Sequence, residues 1–300
     1  MMAATREKAN MRSSKLIATV VAVLASAPAL ADDVKVGVGM ALSPNTPVSS
    51  GTYFTIDGLT AAAQNANKPW SLTALDVNTL RFSVHSGDHW VTSGWSDITN
   101  GGNAERSEIS LSSSGLWGPG TQVNIGYQLT VEPGSPNTAS FFCLSQLHAT
   151  TEGPPPFFVG MNGEHMQIGI NTKNGQLVLW KDPNPIQRGH AYDMNVQLKM
   201  DPSGNGFVDA WRDGVQVVNY HGATGMAGAQ YYWKEGIYRG PTTADTQTVD
   251  FSNLSITTGS APALVTSGTT ASSSESTSTS STGSSSSETG STRRPRVARP

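Results

Sequence analysis

Between Tyr192 and Met200 the chain alternates without a break: Tyr192, Met194, Val196, Leu198 and Met200 are separated by Asp193, Asn195, Gln197 and Lys199. A side-chain period of two belongs to a β-strand with one face buried and one face wet. The surrounding sequence is punctuated in the same idiom. Arg212-Asp213-Gly214-Val215 divides two apolar runs within Phe207–Tyr220 and predicts a tight hairpin. Lys173-Asn174-Gly175, flanked by Gln167–Asn171 and Gln176–Trp180, predicts another, and Thr248–Ile256 reads as a closing strand. Only Leu59–Asn67 carries a helical character, and a short helix is expected there. Many short strands joined by Gly, Pro, Asn and Asp turns predict an all-β, antiparallel β-sandwich or jelly roll.

Both ends of the chain depart from that pattern. Residues 1–31 read as an export signal: Arg6, Lys8, Arg12 and Lys15 supply a positive start, Leu16–Leu24 is apolar or small, and Ala29-Leu30-Ala31 offers a cleavage site before Asp32. The apolar run falls short of the roughly 20 residues a spanning helix needs, so the chain is expected to be secreted, to the periplasm or beyond the cell, without a membrane span. Residues 260–300 are expected to form a flexible tail. Ser272–Thr292 contains only Ser, Thr, Gly and Glu, which cannot bury enough apolar surface to offset ordering entropy, and Arg293, Arg294, Arg296 and Arg299 give it a basic end. One folded domain, 32–259, remains between them. The single cysteine excludes an internal disulfide framework and any multi-cysteine metal site, and a formal net charge of -3 argues against nucleic acid as a partner.

Three segments in that domain hold chemically capable side chains. In Glu105-Arg106-Ser107-Glu108-Ile109-Ser110-Leu111 a strand places Arg106, Glu108 and Ser110 on one face and Ser107, Ile109 and Leu111 on the other. Alone, this reads as an ordinary surface ion pair, which is worth little. In Phe141–His148, Gln146 and His148 share a face while Cys143 and Leu147 point the other way. In Tyr231–Arg239, Tyr232, Lys234, Gly236 and Tyr238 share a face. Gly236 leaves room there for a ligand or for another backbone. Lys234 beside a tyrosine would favour the phenolate. Trp233 and Ile237, opposite, suit a core.

Taken together, Arg106-Ser107-Glu108, Gln146-x-His148 and Lys234-x-Gly236-Ile237-Tyr238 resemble the β-jelly-roll polysaccharide lyases, which include alginate lyases, heparin lyase I and glucuronan lyases. The stretch Leu80–Asp88 and the Trp211 and Asp213-Gly214 hairpin are similar to the heparin lyase I and glucuronan lyase branch. His85, where that branch has arginine, and Glu235, where many alginate lyases have a small residue, depart from it. The resemblance implies a concanavalin-like jelly roll that cleaves an anionic, uronic-acid-containing polysaccharide by β-elimination. It implies Arg106 and Gln146 as neutralisers of the substrate carboxylate, Tyr238 as the acid, Lys234 as the group that poises it, and His148 as either base or neutraliser. Glu108, His85, Tyr232 and Arg239 would bind substrate. No cofactor or metal is implied, although the fold has room for a structural calcium, and a monomer is expected.

Two rival classes share this fold. A jelly-roll glycoside hydrolase needs two carboxylates flanking the scissile bond. Glu105 and Glu108 fall on opposite faces of one strand and make a poor pair. A noncatalytic glycan-binding module would need only aromatic platforms such as Trp90, Trp95 or Trp117.

Overall fold

The computed structural model describes residues 42–260, apart from 57, 115 and 243–245. The expected export signal and Ser/Thr-rich tail lie outside the described residues. Sixteen strands occur among those described: β1 (Thr46–Pro47), β2 (Tyr53–Ile56), β3 (Leu59–Asn65), β4 (Leu72–Ala74), β5 (Thr79–Val84), β6 (Glu105–Ser110), β7 (Gln122–Val131), β8 (Phe142–Ala149), β9 (Phe157–Asn162), β10 (His165–Thr172), β11 (Gly175–Lys181), β12 (Ala191–Lys199), β13 (Gly206–Arg212), β14 (Val215–Gly222), β15 (Tyr231–Arg239) and β16 (Gln247–Thr258). They form two antiparallel eight-stranded sheets, β1-β4-β5-β16-β7-β12-β13-β14 and β11-β10-β9-β8-β15-β6-β3-β2. This is the antiparallel jelly-roll sandwich that the alternation predicts.

The segments read as strands and hairpins form them. β12 buries every second residue, from Tyr192 to Leu198. Asp213 and Gly214, with φ of 52° and 76°, make the positive-φ turn between β13 and β14, which is the conformation that matches strand twist in a two-residue hairpin. The expected helix at Leu59–Asn67 is instead β3, paired with β2 and β6. Its alanines favour helix locally, but Ala61, Ala63 and Asn65 are buried alternately. Two flanking strands supply backbone partners, so tertiary pairing overrides propensity.

The core lies between the sheets. Tyr127 on β7 meets Trp233 on β15 with ring centroids 5.7 Å apart, and its hydroxyl hydrogen-bonds Ser145 Oγ on β8 at 2.8 Å. Trp233 also stacks on Phe157, while Phe82 meets Phe251 edge to face. Ile109, Ile237 and Leu147 complete this inner layer, so β6, β8 and β15 each turn one apolar face inward. The topology places these three strands side by side, in the order β8-β15-β6, although they are distant in sequence. The three chemically capable segments therefore share the opposite, outer face of one sheet.

Two polar features also sit on the inner side. Arg239 donates from Nε to Glu105 Oε2 at 2.6 Å, a fully buried pair tying the end of β15 to the start of β6. Glu235 is buried among apolar groups, with Trp233 Nε1 donating to its Oε2 at 3.1 Å. Burial raises the Glu235 carboxyl from 4.5 to about 7. A carboxyl whose folded pKa is raised stabilises the fold while protonated, so its contribution is lost as pH climbs from about 4.5 to about 7. Glu235→Gln is therefore expected to match the wild type near pH 5 and to exceed it above pH 7, by up to about 3 kcal/mol. Thermal unfolding at the two pH values checks this, and parallel curves would show that Glu235 carries no such burden.

Candidate active site

The outer face of the β8-β15-β6 region opens into a cavity of about 540 Å³ that continues over β9, β10 and β11. Arg106, Gln146, His148, Lys234 and Tyr238 all line it. Trp95 and Phe141 add aromatic walls near Arg106 and Tyr238, and Phe158, Gln167, Gln176 and Val178 line the far half.

Glu108 joins the charged groups. It is fully buried, and its two oxygens accept from Lys234 Nζ at 2.6 Å, Arg106 Nη1 at 2.7 Å and Gln146 Nε2 at 2.5 Å. The donors come from β15, β6 and β8, and the register explains the convergence: Gly236 pairs with Glu108, Tyr238 with Arg106, and Lys234 with Gln146. Burial alone would push the Glu108 carboxyl up, but Lys234 and Arg106 outweigh it and hold the group ionised. Burial likewise opposes the charge on Arg106, and the carboxylates of Glu108 and Asp97 reverse that. The segment read as a surface ion pair is thus a buried one.

Several sequence expectations are corrected here. Glu108, expected to touch substrate, is sealed behind Arg106, Gln146 and Lys234 and acts as their common acceptor. Lys234 spends its charge on Glu108 rather than on Tyr238. The Tyr238 phenol is in fact raised above its ordinary value, by burial, with Arg106 as the opposing influence; the Arg106 Cζ lies 4.0 Å from the Tyr238 ring centroid. His85 does not line the cavity but stacks on Trp70, with centroids 4.4 Å apart. Arg239 faces the core with Glu105 and cannot reach a ligand. Tyr232 stands beside His148, its Oη 3.1 Å from Nδ1, and is not part of the lining. Cys143 lines the cavity with Gln146, rather than pointing away from it. The register shifts between Cys143 and Ser145, and this turns Leu144 into the core. The space at Gly236 belongs to backbone: a Cβ there would collide with the Ser107 carbonyl and lie 2.7 Å from Glu108 Cα, and its φ of 130° also requires glycine.

His148 is half-buried next to Lys234, and both its loss of solvent and that charge lower its pKa, from 6.5 to about 4. Its Nδ1 lies 2.8 Å from the Ala149 carbonyl as well as 3.1 Å from Tyr232 Oη. A proton on Nδ1 has acceptors in both, which leaves Nε2 unprotonated. Burial pushes Tyr232 up to about 12. The Cys143 thiol is raised as well, by burial and by Glu108, and stays protonated.

One functional neighbour escaped the sequence reading. Asp97, in the loop before β6, takes Arg106 Nε on Oδ2 at 2.9 Å and Nη2 on Oδ1 at 2.8 Å. It sits in an aperiodic Trp-, Gly- and Ser-rich stretch, where no spacing links it to Arg106. Among the described residues no group of three or more His, Cys, Asp or Glu is placed to hold a metal ion. Among the described residues that line the cavity there is no Asp or Glu, so they supply no counterpart to the paired carboxylates of a glycoside hydrolase.

Glu108→Ala is expected to cost about 3–5 kcal/mol, because it strands the buried Lys234 ammonium and leaves Arg106 with Asp97 alone, rather than removing a simple contact. Chemical denaturation checks this; a loss below 1 kcal/mol would mean that Lys234 finds another partner.

A family profile described as "Polysaccharide lyase" matches residues 60–255. Among solved structures, the endo-beta-1,4-glucuronan lyase from the fungus Trichoderma reesei is 11% identical, with a TM-score of 0.47, over 72% of this chain and 94% of that one. The alginate lyase from Corynebacterium sp. is 13% identical, with a TM-score of 0.45, over 61% and 78%. Alginate lyase AlgAT5, from polysaccharide lyase family 7, is 13% identical, with a TM-score of 0.46, over 61% and 79%. No curated protein sequence matches the chain.

Proposed function

This chain belongs to the polysaccharide lyase family, and from that footing we propose that it cleaves a uronic-acid-containing polysaccharide by β-elimination at the Arg106–Tyr238 cavity. The observation that carries this reading is the meeting of Arg106, Gln146, His148 and Tyr238, from three strands, around one cavity. β-Elimination from a uronate requires that the carboxylate be neutralised, the C5 proton removed and the C4 oxygen protonated. Charge then develops on the carboxylate oxygens, and donors fixed in advance at that position supply the largest stabilisation. Arg106 and Gln146 fit that task, since Glu108 holds both in place before substrate arrives.

The proton-transfer roles follow from ionisation. Tyr238, held above its ordinary pKa by burial, is a phenol at neutral pH and can give its proton to the leaving oxygen. His148, neutral and with Nε2 unprotonated, suits a base rather than a cationic neutraliser. An acid on β15 and a base on β8 accommodate either stereochemistry. Tyr238 can serve both steps where H5 and the C4 oxygen lie on the same side, and His148 can take H5 where they do not.

The substrate is an unsulfated uronan, such as glucuronan or alginate, in preference to a heparin-like chain. Arg106 and Lys234 are the only basic side chains of Lys or Arg lining the cavity among the described residues, and both are already paired with carboxylates. A densely sulfated polymer needs exposed cations that this lining lacks. The enzyme acts outside the cytoplasm, a reading supported by the signal-like composition of residues 1–31.

Incubation with glucuronan or alginate is expected to generate a conjugated, unsaturated chain end, visible as rising near-ultraviolet absorbance, with heparin a poor substrate. New reducing ends without that absorbance would replace the lyase reaction with hydrolysis. Tyr238→Phe should lower kcat about 10²- to 10⁴-fold, the usual contribution of a positioned acid, while leaving the fold intact. The acidic limb of kcat/KM should lie near pH 4, because His148 loses its basicity only as pH falls through about 4. A limb at the ordinary histidine value would mean that burial and Lys234 do not depress His148 during turnover.

A further inference from the structure

We propose that Asp97 is a positioning residue of this site: it grips one edge of the Arg106 guanidinium, fixes which N–H bonds that group offers to the substrate, and balances its charge beside Tyr238. The activity arm of this inference rests on the lyase reading above; its geometry does not.

The contact is a two-point fork. Both Asp97 oxygens are engaged with Arg106, at 2.9 Å to Nε and 2.8 Å to Nη2, and the carboxylate is fully buried. A guanidinium has five N–H bonds. Asp97 takes two and Glu108 takes one on Nη1, so one remains on each terminal nitrogen. Those two are what Arg106, which lines the cavity, can present to a substrate carboxylate. With only Glu108 as partner the group would be held at a single nitrogen and free to pivot. With Asp97 it is held along an edge.

The loop is built around this carboxylate. Trp95 Nε1 donates to Oδ1 at 2.7 Å and the Trp90 amide to Oδ2 at 3.2 Å. The Asp97 amide donates to the Trp90 carbonyl at 3.0 Å, and the Ala104 amide to the Asp97 carbonyl at 3.1 Å. Gly101 packs so closely that a Cβ there would lie 2.9 Å from Asp97 Cα. The same loop lays Trp90 over Arg106, with Cζ 5.2 Å from the ring centroid, and Trp95 on the cavity wall. Asp97 thus ties the wall of the cavity to its principal cation.

Charge balance gives the second half of the role. Arg106 and Lys234 carry two positive charges, and Glu108 and Asp97 carry two negative ones. The groups that bear on Tyr238 are Arg106 and Glu108 from β6, Asp97 from the loop and Cys143 from β8. Removing the Asp97 charge leaves Arg106 less compensated, 4.0 Å from the Tyr238 ring. The phenol then ionises more easily, so its titration reports whether Asp97 balances the Arg106 charge.

Two variants separate charge from geometry. Asp97→Asn removes the charge and keeps the size; Asp97→Glu keeps the charge and displaces the fork. Asp97→Asn is expected to lower kcat on a uronan about 100-fold, the scale of loss seen when a reacting group is misplaced by about 1 Å, with little change in KM. It should also let Tyr238 ionise at lower pH. Ultraviolet titration reads this directly, as the difference between each background and the same background carrying Tyr238→Phe. Asp97→Glu should lose rate while Tyr238 titrates as in the wild type. An Asp97→Asn protein that melts lower but titrates unchanged would reduce Asp97 to a loop anchor, and unchanged kcat would overturn the inference outright. The titration needs no turnover. A wild type that cleaves no uronan therefore refutes the proposed reaction, while the phenolate shift still decides the role of Asp97.

Discussion

The site depends on one buried carboxylate. Glu108 accepts hydrogen bonds from three strands at once, and without it nothing would hold Arg106, Gln146 and Lys234 against a common point. A buried ion pair is not by itself a source of stability, because desolvation cancels most of its attraction. What it supplies is geometry. Donors that point at Glu108 have lost their rotational freedom, so little reorganisation would remain on binding the carboxylate of the proposed substrate.

That arrangement requires β6 and β15 to stay in register, and the inner face of the sheet enforces it. Arg239 and Glu105 lock one end of the pair through a buried bond, and Trp233 and Ile237 are packed against the opposite sheet. Between them Gly236 lets the β6 backbone approach closer than any side chain would permit. A one-residue slip would send Lys234 and Tyr238 into the core and Trp233 and Glu235 into the cavity. The chemistry on the outer face is therefore held by packing on the inner one.

How far the sequence discloses this depends on the range of the interaction. Period-two alternation and the Asp213-Gly214 turn are local, so the strands and hairpins can be read directly. The face shared by Arg106 and Glu108, or by Gln146 and His148, follows from the same alternation. Cys143 defeats it because a register shift inserts Leu144 into the core, and the residues at Leu59–Asn65 defeat helix propensity because β2 and β6 pair with them. Lys234 lies near Tyr238 in sequence, yet its partner is decided across the sheet, where Glu108 is the nearer charge. Arg239 lies one residue beyond Tyr238 and so faces the other way. Asp97 is the hardest to foresee, because it reaches Arg106 from a loop with no periodicity.

The balance of charge in the cluster has a further consequence. Two exposed cations would attract any anion, whatever its shape, and would favour the phenolate of Tyr238. Two cations each matched by a buried carboxylate exert little long-range pull, and they discriminate by the direction of the N–H bonds that remain. Under the proposed function, bonds so directed would favour a planar carboxylate at one spot over a general polyanion. Burial is the largest influence on both Tyr238 and His148, so that the phenol keeps its proton and the imidazole stays neutral. In the proposed reaction these are the states that an acid and a base would need near neutral pH.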